Sequence, residues 1–368
     1  MSEKKNILHI AYSGFGGQSI MALSLPEADV NMEFVHDFIF YGVEDVHELH
    51  LERIRRGNFI RKTFSIKKEK GLDVNSLRKL YARLKKLNPD VVICHMPVLW
   101  PVFLLYTLRK SLQLLFVEHH AMNLKGKLDF LHSKIIIRLA NYVVCTSPRY
   151  KREFIESLNT KRKALLEKVV VVQNAVNEKD FFSNRPSEFA EPITIAMITR
   201  FTNGKDHATV IRAIERLKEA GVQFTLFLPG DGETLEECKK LAKKLKVDQQ
   251  IKFPGMIGSK DVIAILQKTD IFIMSSAGES QSLTILQAMA CELTIVASNV
   301  TGINELVINE ENGLLFEYGN EKDLAGQLLF LLSSPSLANK LSNNGLRLFN
   351  ENHSYSKYFA SYKKLIGA

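Results

Sequence analysis

The stretch Ile271 to Ala297, IFIMSSAGESQSLTILQAMACELTIVA, decides the fold. Ile271–Met274 is a short apolar run that reads as a buried strand, and Thr294–Ala297 reads as another. Between them Ser275 to Gln281 is small and polar, and Ser282–Ala290 carries apolar residues at helical spacing. Strand, polar turn, helix, strand is a parallel crossover unit. In such a unit the helix start presents unpaired backbone N–H groups and positive potential, which suits a phosphate. Glu279, Ser280 and Gln281 lie in the turn, and Ser282 and Leu283 open the helix. Gln287 lies five residues into it, about 7.5 Å along the axis at 1.5 Å per residue. That matches the step from a diphosphate to the ribose of the same nucleotide, where an amide can donate and accept.

The same alternation extends outward on both sides. After residue 185 it reads strand Ile193–Ile198, helix Ala208–Ala220, strand Phe224–Leu228, helix Leu235–Leu245, strand Ile251–Phe253 and helix Asp261–Gln267. Before it, strands are expected at Ile7–Ala11, Met32–Phe40, Val91–His95, Leu114–Glu118, Tyr142–Thr146 and Val169–Gln173, with an amphipathic helix over Val74–Leu87. The polar stretch Asn177 to Pro192 reads as a linker. The reading is an α/β protein of two doubly wound, Rossmann-like domains, 1–185 and 186–352, facing across a cleft. A last helix, 353–368, is expected to pack back on the first domain.

A chain of 368 residues suits two domains of this size, and 46% hydrophobic with 24% charged residues supplies two cores. Cys94, Cys145, Cys238 and Cys291 are scattered without metal spacing and read as buried thiols. The apolar run Met96 to Leu108 contains Pro97 and Pro101 and is shorter than the ~20 residues of a membrane span. The start of the chain reads as a first strand rather than a signal peptide, so a cytoplasmic location is expected. Charge is one-sided. Residues 1–185 hold 30 Lys and Arg against 19 Asp and Glu, a net +11, while 186–368 carry −2. Arg53, Arg55, Arg56, Arg61, Lys62, Lys67, Lys68 and Lys70 crowd together. A basic half points to an anionic membrane surface or anionic substrates. Nucleic acid is not expected, because basic motifs interleaved with aromatics are missing.

Three further strand-end loops carry candidate chemistry. Thr199 to His207 places Arg200 and Lys205 between a strand and a helix start, where two cations suit a diphosphate. Pro229-Gly230-Asp231-Gly232 is a sharp turn whose glycines let backbone approach a ligand. Phe253-Pro254-Gly255 ends another strand. In the first half, Gly14-Phe15-Gly16-Gly17 follows the first strand and nearly fits a dinucleotide fingerprint, which leaves an oxidoreductase as a rival reading. A sugar-nucleotide-binding protein without catalysis is a second rival. His95 reads as a packed strand-end residue and Ser147 as a helix cap.

Taken in order, Asn174 to Asn177, Arg200 to His207, Gly230 to Gly232, Phe253 to Gly255, Glu279 to Ala290 and Glu305 to Phe316 resemble the family-4 retaining glycosyltransferases of the GT-B fold. Gly14 to Gly17 resembles that family's first glycine loop. Glu118-His119 resembles its strand-end histidine, with His120 beside it as the alternative. The resemblance implies that Arg200 and Lys205 hold the donor diphosphate and that Glu279 bonds hydroxyls of the transferred sugar. It implies that Gln287 takes the ribose, with Gly16, Gly17, Gly230, Ser280, Gln281, Ser282 and Leu283 completing the donor site. His119 would lie near the sugar. The implied reaction moves a sugar from a UDP- or GDP-sugar to a glycan or lipid-linked acceptor, with no metal or other cofactor, on or near the inner membrane face. The chain departs from the pattern at Gln287 (family Glu), Ala175 and Glu292 (family Gly) and Thr294 (family Pro).

Overall fold

The computed structural model describes residues 4–14, 16–71, 73–96, 100–109, 111–119, 126–183, 189 and 191–367, with the side chains of Trp100, Lys127 and Leu128 left aside. Two compact units divide the chain. The first runs to Ala175 and takes back the chain from Tyr355 onward, and the second is Val176–Ser354.

The first unit alternates β1 (Asn6–Tyr12), α1 (Gly17–Ala28), β2 (Val35–Gly42), α2 (Glu48–Gly57), β3 (Lys62–Lys67), α3 (Val74–Leu87), β4 (Val91–Cys94), α4 (Trp100–Leu108), β5 (Gln113–Glu118), α5 (Lys127–Leu139), β6 (Tyr142–Cys145), α6 (Pro148–Leu158), α7 (Lys163–Leu166) and β7 (Val169–Val171). The strands form one parallel sheet in the order β3-β2-β1-β4-β5-β6-β7. Every residue of β4 is buried, as expected of a strand covered on both faces. On one face Leu80 and Leu84 of α3, Val102 and Leu105 of α4 and Ile136 and Ile137 of α5 share a core with Leu8, Ile10 and Val92. Asp73 caps α3 by accepting from Ser76 N at 3.0 Å. Ser147 caps α6, accepting from Tyr150 N at 3.1 Å.

The second unit continues with β8 (Ile193–Ala196), α8 (His207–Glu219), β9 (Phe224–Phe227), α9 (Leu235–Lys244), β10 (Ile251–Lys252), α10 (Ser259–Leu266), β11 (Ile271–Met274), α11 (Leu283–Ala290), β12 (Thr294–Ser298), β13 (Leu314–Phe316), α12 (Glu321–Ser333) and α13 (Pro335–Asn352). Its parallel sheet is ordered β10-β9-β8-β11-β12-β13. Both units are therefore Rossmann-like. The last helix, α14 (Tyr355–Ile366), belongs to the first unit. There Lys5 Nζ donates to Ile366 O at 2.8 Å and Gln113 Nε2 to Leu365 O at 2.7 Å, while Arg53 Nη2 donates to the Tyr355 hydroxyl at 3.0 Å.

Three sequence expectations are adjusted. The division falls at Ala175 rather than 185, because the start of the stretch read as a linker already joins the second unit. Val176 N donates to His353 O at 3.0 Å, and Val176 and Phe181 sit in that unit's core. The strand expected from Met32 begins at Val35. Asp29 binds the amides of Glu33 and Phe34, and Met32 has a positive φ of 50°, so the chain is still turning there. The basic cluster is largely neutralised: Arg53 pairs with Glu27, Arg55 with Glu48, Arg56 with Glu52, Arg61 with Asp37 and Lys67 with Asp45. Cys94, Cys145, Cys238 and Cys291 are buried and form no disulfide.

Candidate functional site

In the second sheet the strand order reverses at β8 and β11, which lie side by side. Loops leaving the carboxyl ends of strands at such a reversal form a ligand crevice. The loop after β8 carries Arg200 and Lys205, and the loop after β11 carries Glu279. Lys205 and Glu279, 74 positions apart in the chain, thus meet because of topology.

The β8 loop is held from beneath. Phe201 is fully buried and stacks on His207, with ring centroids 3.9 Å apart and planes 13° apart. His207 reaches Thr199 Oγ1 at 3.1 Å and Lys205 O at 3.0 Å through its two ring nitrogens. Burial pushes its pKa down to about 4, so it acts as a neutral strut. Asp206 caps α8 through Thr209 N at 3.0 Å. The two loops are tied by backbone: Asp206 N donates to Ser275 O and Ala277 N to Gly204 O, each at 3.0 Å.

The Gly230–Gly232 turn admits a close backbone approach. Gly230 and Gly232 have φ of 144° and 147°, and a Cβ on them would lie 2.1 Å from Thr199 O and 2.2 Å from Phe201 O. The backbone these glycines admit is the β8 loop itself, on either side of Arg200, and Phe201 N donates to Asp231 O at 3.0 Å. Arg200 is exposed and makes no side-chain hydrogen bond to a described residue. It stands on a rigid base.

Lys205 and Glu279 form an ion pair, each side chain about one-fifth exposed (20% and 19%). Lys205 Nζ also donates to Ser276 Oγ at 3.1 Å. Glu279 is braced from the far side: its N–H donates to Thr301 O at 3.1 Å, and Gly302, with φ of 82°, lies so close that a Cβ would sit 1.7 Å from Glu279 O. Ser276, Thr301, Gly302 and His207 are thus supports that sequence reasoning did not single out. Ser282 caps α11, accepting from Ile285 N at 3.4 Å. Gln281 and Ser282 are buried, while Ser280, Leu283 and Gln287 are half-buried. Just past α11, Leu293 N donates to Ala288 O at 3.0 Å, the closure of a Schellman turn. Its left-handed position, φ 56°, is Glu292, where the family pattern has Gly. Ala175 is buried without a positive φ.

In the first unit, Gly16 precedes α1 and Gly17 opens it. Ser19 Oγ donates toward Gly14 O at 2.8 Å and lies 2.9 Å from His50 Nε2, which anchors this turn. Phe15 and His120 lie outside the described residues. His119 follows β5, half-buried, with its Nε2 3.1 Å from His95 Nδ1 and the two rings stacked at 5.4 Å. His95 is buried, and Glu118 accepts from Ser133 Oγ at 3.1 Å and the Tyr150 hydroxyl at 3.2 Å. A small cavity of about 30 Å³ borders Gln18, His95, Glu118 and His119.

The sequence profile of Glycosyltransferase Family 4 matches residues 15–180, and that of Glycosyl transferases group 1 matches residues 178–347. The chain belongs to the family-4 glycosyltransferases. It is 29% identical over 275 residues to an uncharacterized glycosyltransferase of Methanocaldococcus jannaschii, covering 70% of this chain and 68% of that one. It is 31% identical over 154 residues to the lipopolysaccharide core biosynthesis glycosyltransferase LpsE of Rhizobium meliloti, 42% and 43% of the two chains. Anabaena HepE, solved in complex with UDP and glucose, superposes with a TM-score of 0.82 at 17% identity over 99% of this chain and 100% of that one. The fold is GT-B, and the family membership displaces the oxidoreductase reading. No helix among the described residues is long and apolar enough to cross a membrane.

Proposed function

We propose that this family-4 glycosyltransferase is a retaining hexosyltransferase that takes its sugar from a UDP- or GDP-sugar, gives it to a glycan or lipid-linked acceptor and serves cell-surface polysaccharide synthesis. The observation that carries the reading is the junction of Lys205, Glu279 and the α11 start at the strand reversal. A departing nucleoside diphosphate builds negative charge, and fixed cations with helix N–H groups stabilise it. Arg200, Lys205 and the amides at Ser282 and Leu283 are assigned that charge, without a metal or other cofactor. Glu279 is assigned the hydroxyls of the transferred sugar, which a braced carboxylate accepts well. Gln287 is assigned the ribose, where an amide keeps the reach of the family's Glu with less strength. Ser280 and Gln281 shape the loop, Gly230 positions Arg200, and Gly16, Gly17 and His119 are assigned to the sugar side. Retention follows from a front-face displacement in which the leaving phosphate and the incoming hydroxyl share one face. UDP in HepE and the polysaccharide role in the name of LpsE support the donor and the pathway class.

The lipid-linked acceptor and contact with an anionic membrane rest on the outer helices of the first unit. On α3, Arg78, Lys79, Lys85 and Lys86 form no ion pair with a described residue. On α4 and α5, Phe103, Leu108, Leu131 and Ile135 are exposed, and Lys134 and Arg138 stand beside the last two. Apolar residues among cations suit a membrane interface. Thermal shift with UDP-, GDP- and ADP-sugars, followed by product analysis with the stabilising donor, tests the reading. Stabilisation by one donor and an α-linked product from an α-linked donor are expected. An inverted product, or no donor that stabilises, overturns it.

A further inference from the structure

A second cavity, of about 350 Å³, is lined by residues of the second unit alone. Its walls are the loop 202–206 after β8, the first two turns of α8 and α9, and Tyr318 just beyond β13. These come together because α8 packs between α9 and α12. The start of α8 is therefore flanked by the start of α9 and by the turn that leads into α12. Among the described residues assigned to the donor only Lys205 borders the cavity, and Arg200, Glu279, Ser282 and Gln287 do not. The volume falls within the ~300–1,000 Å³ of small-molecule sites.

Opposite charges face this space without meeting. Arg212 of α8 and Glu237 of α9 both border it, yet neither forms an ion pair or hydrogen bond with the other or with another described residue. The Asn203 amide and the Tyr318 hydroxyl make no side-chain hydrogen bond to a described residue either, and Tyr318 is 39% exposed. Thr234 Oγ1 is buried with only the Cys238 thiol, a weak partner, beside it among the described residues. One open space is thus bordered by a guanidinium, a carboxylate, an amide, a hydroxyl and an aromatic ring.

A ligand here must satisfy a cation and an anion together without bringing net charge. Among the described lining residues Arg212 and Lys205 are offset by Asp206 and Glu237, and Lys205 is already held by Glu279. No surplus of positive charge is left to hold a phosphate. An amino acid would match the two charges but not the amide, the hydroxyl and the ring that stand with them. A pyranose matches all of them. Each of its hydroxyls donates and accepts, so one can accept from Arg212 while its neighbour donates to Glu237. Its C–H face suits the negative face of an aromatic ring such as Tyr318. We propose that this cavity is a second ligand site that binds a neutral saccharide, with Tyr318 as the platform and Arg212 and Glu237 as hydroxyl partners. The site goes beyond the donor assignment and does not depend on it. A free sugar and one unit of a glycan chain present the same ring, and chain length tells them apart.

Ligand-observed NMR with the full-length protein tests the site, with glucose, galactose, mannose, N-acetylglucosamine, maltose and lactose as probes. Ordinary ligand efficiency over about a dozen heavy atoms puts the expected Kd in the millimolar range. At least one probe is expected to bind, roughly tenfold more weakly in Tyr318→Ala and in Glu237→Gln and equally well in Glu279→Gln. Tyr318 and Glu237 are exposed, so both cavity variants should fold, and an unchanged Tm checks it. A crystal soaked with the binding probe should show the sugar over the Tyr318 ring. Tighter binding of the trisaccharide or disaccharide than of its single unit assigns the site to a glycan chain, and equal binding to a free sugar. Binding by none of the probes, or binding that survives both cavity variants, overturns the site. Binding lost in Glu279→Gln instead places the sugar in the donor crevice and overturns it as well. Inorganic phosphate or alanine held by the wild type and released in Arg212→Ala overturns the saccharide class.

Discussion

Replacing Glu279 by Gln separates two things the ion pair with Lys205 combines. Before donor binds, the carboxylate neutralises the ammonium, and both side chains are about four-fifths buried. Exposed pairs contribute about 0–1 kcal/mol and breaking buried ones costs about 3–5 kcal/mol, so this pair falls near 1–2 kcal/mol. A diphosphate must draw Lys205 away from Glu279 or share it. With Gln at 279 that competition disappears, and nucleoside diphosphate should bind about 1 kcal/mol tighter, roughly fivefold. The sugar loses a charge-assisted hydrogen bond of about 1.5–3 kcal/mol, so kcat/KM should fall about 10- to 150-fold. Calorimetric titration with UDP or GDP and a nucleotide-release assay measure the two effects on one preparation. Diphosphate affinity falling in parallel with kcat/KM would refute the reasoning, because Glu279 would then act on the diphosphate rather than the sugar.

Three further outcomes are expected. Glu292→Gly relieves a left-handed residue, worth about 1–2 kcal/mol, against about 0.4–1 kcal/mol of extra chain entropy. The net of about 0.5–1 kcal/mol should raise Tm by roughly 1–4 °C, and a lower Tm would count against the cap assignment. His207, 1% exposed, has its pKa lowered from 6.5 to about 4, so the unfolded chain binds its proton more readily. Its contribution is complete above pH 6.5 and declines as pH falls toward 4, up to about 3 kcal/mol. Urea titrations across that range should show a shallower pH slope for His207→Gln, and equal slopes would contradict the strut. In vesicle flotation, Leu131→Ser with Ile135→Ser, or Lys134→Glu with Arg138→Glu, should weaken binding to anionic vesicles, while Arg55→Glu, already paired with Glu48, should not. Equal wild-type binding to neutral vesicles would remove the anionic surface as partner.

The fold was legible where parallel strands are covered on both faces, since β4, β6 and β11 read as unbroken apolar runs. It was illegible at β3, an edge strand whose only buried side chain is Ile66, so that Lys62–Lys67 reads as part of a basic run. The charged and polar site residues stood out because Arg200, Lys205 and Glu279 occupy strand ends before helices. Their supports did not. Gly302 acts through its missing Cβ against a backbone oxygen 23 residues away, and Gly230 through the same device against Thr199. The grouping of His36, His9, His95 and His119 has no sequence signature either, because these positions become neighbours only through the strand order β2-β1-β4-β5.

The central claim is that the Arg200, Lys205 and Glu279 site at the β8–β11 reversal carries the donor diphosphate through transfer. The most direct measurement is single-turnover transfer by Lys205→Ala, with the donor that thermal shift selects. The account expects a loss of about 10²–10³ in rate with the Tm of the variant showing a folded protein. Transfer at the wild-type rate by that folded variant would contradict it.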